Sequence, residues 1–134
     1  MLAACQKEPT AMTLPDPPAP IVRPAEYAFG DHIASAEEHL VGQIDQSLRG
    51  RFDKPVEAHL SAPAETDFAA VRRWYGERAE GWQALPDVEA VARAGGGQGF
   101  GFARDGQAFV MLWLAPDAAK GASPVTILRY GKPG

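Results

Sequence analysis

The chain has 134 residues, 46% of them hydrophobic and 22% charged, with a formal net charge of -4. A domain takes ~100 to 150 residues, so once a terminal segment is set aside there is room for one core, and the composition is that of a globular rather than a disordered protein. The acidic balance and the lack of Lys/Arg runs remove the long-range field that draws proteins onto phosphate backbones, so no nucleic-acid partner is expected. No stretch reaches the ~20 apolar residues that cross a bilayer; the longest, Ala108 to Ala115, has strand length.

Near the start stands Leu2-Ala3-Ala4-Cys5, and Cys5 is the single cysteine. An intramolecular disulfide is therefore excluded, any metal site would rest on histidine and carboxylate, and no metal or cofactor is expected. The four residues resemble the lipobox of bacterial lipoprotein precursors, the motif that ends the signal peptide. The resemblance implies a lipid attached to the Cys5 thiol and cleavage just before it, with the small Ala3 and Ala4 fitting a peptidase cleft. One acyl chain holds a protein only marginally, each buried methylene adding ~0.8 kcal/mol, so several chains on one cysteine anchor it firmly. The charged and apolar regions of a signal peptide do not precede Leu2 here, so the reading takes either the start codon to be assigned too late or the sequence to be trimmed. Gln6 is not the aspartate that resembles an inner-membrane retention signal, which implies the periplasmic face of the outer membrane. The competing reading is a cytosolic protein with a chance Leu-Ala-Ala-Cys.

After Cys5 the chain is dense in proline (Pro9, Pro15, Pro17, Pro18, Pro20, Pro24), the composition of an extended, semi-rigid spacer. The expected layout is a signal-peptide remnant at 1–4, a lipid-anchored linker at 5–25 and a single α+β domain at 26–134.

From Asp31 the pattern turns helical: Ile33, Leu40, Val41, Ile44 and Leu48 share a stripe, with Glu37, Glu38, Gln43 and Asp45 elsewhere. Asp31 is the expected N-cap and Gly50 the stop. Val56, Ala58 and Leu60 alternate with Glu57 and His59 as in a half-buried strand. Thr66 and Asp67 open a second helix in which Phe68, Val71, Tyr75 and Ala79 recur at helical spacing, ending at Gly81. Trp82 to Ala94 is expected to be one strand, or two broken by Pro86, before the turn Gly95-Gly96-Gly97. Asp105-Gly106 between strand-like runs predicts a hairpin, because both turn positions tolerate positive φ. Its second arm, Ala108 to Leu114, is apolar on both faces and so central, and Val125 to Tyr130 supplies one more strand. The expected fold is α+β, an antiparallel β-meander with two helices on one face, preceded by the proline-rich tether.

Residues Val71 to Tyr130 also look like small bacterial envelope lipoproteins of unassigned function, in which a helix with an aromatic pair (Trp74-Tyr75) leads to Gly81-Trp82 and a meander. That resemblance implies no catalytic residue.

The glycines from Gly95 to Gly101 do not form a phosphate loop. A dinucleotide fingerprint starting at Gly95, Gly97 or Gly99 would need a glycine where Phe100, Phe102 and Arg104 stand. His32 and His39 on one helix lie about 10 Å apart along the axis, too far for one metal. His59 is expected to be solvated beside Glu57. Glu37 and Glu38, adjacent on a helix, point in different directions and are read as a solvated face. Ser35, Ser47, Ser61 and Ser123 lack a nucleophile elbow, so no catalytic residue is assigned. Trp74, Tyr75, Arg78 and Trp82 are the candidate binding residues, since Trp, Tyr and Arg concentrate binding energy, although a small core also uses such rings. The expected function is a membrane-tethered envelope lipoprotein that binds a protein partner or small ligand; the alternative is an envelope hydrolase whose His59 or His39 converges with an acid and a serine.

Overall fold

Side-chain spacing builds the first elements as expected. The stripe from Ile33 becomes α1 (Asp31–Ser47), with Leu40, Val41 and Ile44 buried. Gly30 occupies the N-cap, so Asp31 falls in the first turn, where its charge complements the positive end of the helix dipole. Gly50 takes φ +83°, and the chain reverses there into β1 (Pro55–Pro63). Ala58, Leu60 and Ala62 point into the core, whereas Val56, expected with them, is 72% exposed near the strand's open end. Asp67 caps α2 (Phe68–Arg78), its side chain accepting the Ala69 N–H at 3.1 Å. The computed structural model describes residues 14–131; the motif at Leu2 to Cys5 and the residues up to 13 lie outside them.

The stretch from Trp82 to Ala94 differs from expectation. It holds a two-residue strand, β2 (Gln83–Ala84), and then a helix, α3 (Pro86–Ala94). Pro86 starts this helix instead of breaking a strand: at the first position its missing N–H costs no bond and its fixed φ is already helical. Asp87 and Glu89 in the first turn and Arg93 in the last complement the dipole, while Val88 and Ala92 form the buried stripe. Next come β3 (Gln98–Arg104) and β4 (Gln107–Trp113), joined through Asp105 (φ 53°) and Gly106 (φ 81°), the twisted two-residue turn expected from Asp-Gly. β5 (Ala122–Tyr130) completes a five-stranded sheet of order β1-β5-β4-β3-β2, every pairing antiparallel. β2 to β5 run as a meander, and β1 adds beside β5, so the fold is α+β with one strand out of meander order. The doubly apolar β4 is central.

Both faces of the sheet are covered. Ala108, Val110 and Leu112 face a layer formed by α1 and α3, while Phe109, Met111 and Trp113 face α2. Two helices thus share one face, but the pair is α1 and α3, and the second expected helix, α2, lies opposite. A strand apolar on both sides requires this arrangement. α3 packs close to β3 because Gly99 and Gly101 leave its helix-side surface bare: a Cβ on Gly99 would meet Leu112 Cδ2 and the Met111 carbonyl oxygen at 2.9 Å and Ala92 Cβ at 3.1 Å. The glycine cluster is a packing surface. α2, by contrast, rests on rings, with Tyr75 against Phe109 (4.9 Å between centroids) and Phe100 (5.6 Å).

The proline-rich segment is corrected where it is described. Leu14 and Ile21 are buried in the α2-side core, and Val22 bridges Ser61 of β1 through reciprocal backbone hydrogen bonds of 3.0 and 2.9 Å. Arg129 of β5 donates to the Leu14 carbonyl and to Asp16, both at 2.9 Å. Residues 14–22 are therefore docked rather than a free spacer, because the alternation of proline with Leu14 and Ile21 supplies apolar groups that the open end of this face can bury.

Candidate functional site

The α2 aromatics meet different fates. Tyr75 is fully buried, and its hydroxyl donates to the Pro15 carbonyl oxygen at 2.7 Å, tying α2 to the N-terminal segment. Burial pushes its phenol upward, against the opposing pull of Arg129. It serves the core and is withdrawn from any binding surface. Trp74 and Arg78 do come together at the surface: they lie one helical turn apart, the guanidinium stacks 3.8 Å over the indole, and its Nη1 donates to the Trp74 carbonyl at 2.9 Å. Trp82 finds a different cation, Arg104 of β3, 4.9 Å over its ring. The four candidates thus resolve into one Trp74–Arg78 pair, one core tyrosine, and Trp82, which pairs with Arg104 from outside the set.

A second cluster was missed in the sequence. Glu37, read as solvated, is 4% exposed on the sheet side of α1. A buried carboxylate needs donors, and among the described residues it has two: the Tyr27 hydroxyl at 2.5 Å and the Thr126 hydroxyl of β5 at 2.7 Å. Burial, then the hydrogen bond to Glu37, hold the Tyr27 phenol well above its ordinary range. His59, expected to point to solvent, is half-buried, with Nδ1 3.7 Å from Glu37 and Nε2 3.5 Å from Glu57. Its Nδ1 has no hydrogen-bond partner, and no serine bonds to His59 among the described residues. The only hydroxyl nucleophile in the cluster of aliphatic type, Thr126, is 1% exposed and committed to Glu37. This arrangement fastens α1 to the sheet; it does not present an activated nucleophile to solvent. His32 and His39 stay on exposed positions of α1, and no group of three metal-ligating side chains assembles among the described residues.

A third place is a cavity. Where β4 ends and α2 begins, a cleft of about 520 Å³ opens between the turn Thr66-Asp67, the first residues of α2 (Phe68, Ala69), the turn Gly96-Gly97 and the β4 exit at Trp113 and Leu114. That volume lies in the ~300 to 1,000 Å³ range of small-molecule pockets. Phe68 meets Trp113 edge to face at 5.5 Å, forming an aromatic wall. Of the expected binding residues Trp74, Tyr75, Arg78 and Trp82 none lines this cleft, which is made by chain reversals distant in sequence.

Compared with known protein families, with curated proteins and with solved structures, the chain finds no match.

Proposed function

We propose that this protein is a bacterial envelope lipoprotein, held through lipid on Cys5, whose folded domain is a binding module for a protein partner or a small ligand. The observation that carries the reading is Leu2-Ala3-Ala4-Cys5 followed closely by the proline-rich segment. The docking of Leu14 supports a short leash: the steps from Cys5 to Leu14 span at most roughly 30 Å even fully extended. Such a leash keeps the domain at the membrane surface, and Gln6 favours the periplasmic face of the outer membrane. The two Trp–Arg pairs and the cleft beside α2 supply surfaces of the composition that binding uses.

The test is intact mass of the membrane-fraction protein, expressed from the gene with its native upstream DNA in a Gram-negative host, with Cys5→Ser as control. A lipid-sized increase that requires Cys5 is expected; an unmodified soluble product retaining Met1 would instead support the cytosolic reading. The hydrolase alternative draws on one contact, His59 beside Glu37. It predicts turnover of ester or amide substrates that His59→Gln abolishes, and unchanged turnover in that variant removes it.

A further inference from the structure

A loop at one end of the sheet gathers positive charge that the chain as a whole lacks. Between α1 and β1, residues 49–56 read Arg-Gly-Arg-Phe-Asp-Lys-Pro-Val, three cations against one carboxylate in a chain of formal charge -4. Arg49, Arg51 and Lys54 are exposed, and none of them forms an ion pair among the described residues. The carboxylate, Asp53, accepts the Lys54 backbone N–H at 2.8 Å. Of the nearby acids, Asp16 is ion-paired with Arg23 and Arg129, and Glu57 faces His59, so neither neutralises the loop. Val56 is 72% exposed, more than any other large apolar side chain described, and the Arg51 guanidinium stands 5.5 Å over the ring of half-buried Phe52. Exposed cations beside apolar side chains suit an anionic lipid surface: the surface potential attracts the charges, and the apolar groups enter the interface.

Position adds an independent argument. Val56 is the cross-strand neighbour of Arg129, and Arg129 donates to the Leu14 carbonyl at 2.9 Å. The loop therefore stands beside the point from which the chain runs back to Cys5. Strand register fixes what lies opposite. Pro55, Tyr130 and Ala108 are abreast at the loop end of the sheet, whereas Trp113, which lines the cleft beside α2, is abreast of Val125 and Leu60, about 17 Å further along β4.

We propose that the loop from Arg49 to Val56 is a membrane-contact surface that rests on anionic phospholipid headgroups and turns the cleft beside α2 away from the bilayer. The proposal rests on the tethered reading above and adds to it the orientation of the domain. Each cation near such a surface favours contact about fivefold, which is weak for a free protein. A tether raises the local concentration, so a contact of this strength suffices to select one orientation of a domain already held at the surface.

The experiment couples the full chain through its single cysteine, Cys5, to a maleimide-bearing lipid in nanodiscs. The tether is then supplied chemically, and the outcome is separate from lipidation of Cys5 in the cell, which the mass measurement decides. A gadolinium-bearing headgroup broadens methyl signals near the bilayer; Val56 reports the loop and Leu114, at the cleft, the opposite end. In discs of phosphatidylcholine mixed with phosphatidylglycerol at low ionic strength, Val56 is expected to broaden at least about fivefold more than Leu114. The excess falls to its value in pure phosphatidylcholine when Arg51→Gln and Lys54→Gln are combined. Lys120→Gln, an exposed charge removed from the turn before β5, leaves it unchanged. Amide spectra verify that each variant is folded. Broadening at Leu114 equal to or above that at Val56, or an equal fall in Lys120→Gln, overturns the contact surface; an excess at Val56 that persists in pure phosphatidylcholine and in the double variant overturns the role of anionic headgroups.

Discussion

Gly99→Ala tests the close seat of α3 on β3. The added Cβ would stand 2.9 Å from Leu112 Cδ2, 2.9 Å from the Met111 carbonyl oxygen and 3.1 Å from Ala92 Cβ. Carbon atoms pack best at about 3.5 to 4.0 Å. Leu112 can turn aside, but the Met111 oxygen belongs to the backbone of the central strand and Ala92 Cβ is fixed to α3. The helix must therefore lift by several tenths of an ångström, loosening Val88 and Leu85 from the same layer. Overpacking of this kind costs about 1 to 3 kcal/mol, and with two immovable neighbours the upper half of that range is expected. Gly42→Ala is the control: the position is exposed in the interior of α1 with nothing within 4 Å, so alanine should stabilise by about 0.5 to 1 kcal/mol through helix propensity alone. Urea unfolding reads both, since a slope of roughly 1 to 3 kcal/mol per molar moves the midpoint by about 1 M downward for Gly99→Ala and by a few tenths upward for Gly42→Ala. A Gly99→Ala midpoint at or above that of the wild type would refute the packing described for α3.

The docked N-terminal segment predicts that Ile21→Ala costs about 2 to 5 kcal/mol in the same assay, where a free spacer would show under about 0.5 kcal/mol. Thr126→Val removes one of the two hydroxyls on buried Glu37 and should destabilise by about 1 to 3 kcal/mol; a neutral result in urea unfolding would mean that Glu37 is not held as described. Tyr75 and Tyr130 are both raised above the ordinary phenol value, by burial and, for Tyr130, also by its hydrogen bond to Asp45. Because the fold favours their neutral forms, that contribution is complete below about pH 10 and is lost above it, by up to roughly 1.4 kcal/mol per pH unit for each tyrosine. Unfolding free energies measured from about pH 9 to 11 should fall more steeply in the wild type than in Tyr75→Phe, and equal slopes would contradict the burial of the Tyr75 hydroxyl.

Much of the architecture was legible because it is written in local pattern. The α1 stripe, the Asp67 cap of α2, the Asp-Gly hairpin and the doubly apolar β4 each depend on neighbours within one turn or one strand. α3 was legible too, for Leu85, Val88 and Ala92 recur at helical spacing around a helix-compatible Pro86; proline was read as a breaker instead of a first-turn residue. Glu37 is more instructive. It lies four residues after Ile33, on the very stripe that Leu40, Val41 and Ile44 continue, so position alone placed it inward. Charge argued for solvent, and nothing local outweighs that argument. The Thr126 hydroxyl that helps to settle it is 89 residues away.

What the sequence determined by itself is what short-range sterics and periodicity determine: the strands, two of the three helices among the described residues, the hairpin, and a central strand needing cover on both sides. The anchoring proposed at Cys5 rests on the sequence alone. Tertiary structure alone decided which helix covers which face, that Leu14 and Ile21 leave the proline-rich segment for the core, that Glu37 can be buried, and that Trp113 and Thr66 share a cleft. Each of these depends on groups far apart in the chain, whose burial is favourable only once the sheet has brought them within contact distance.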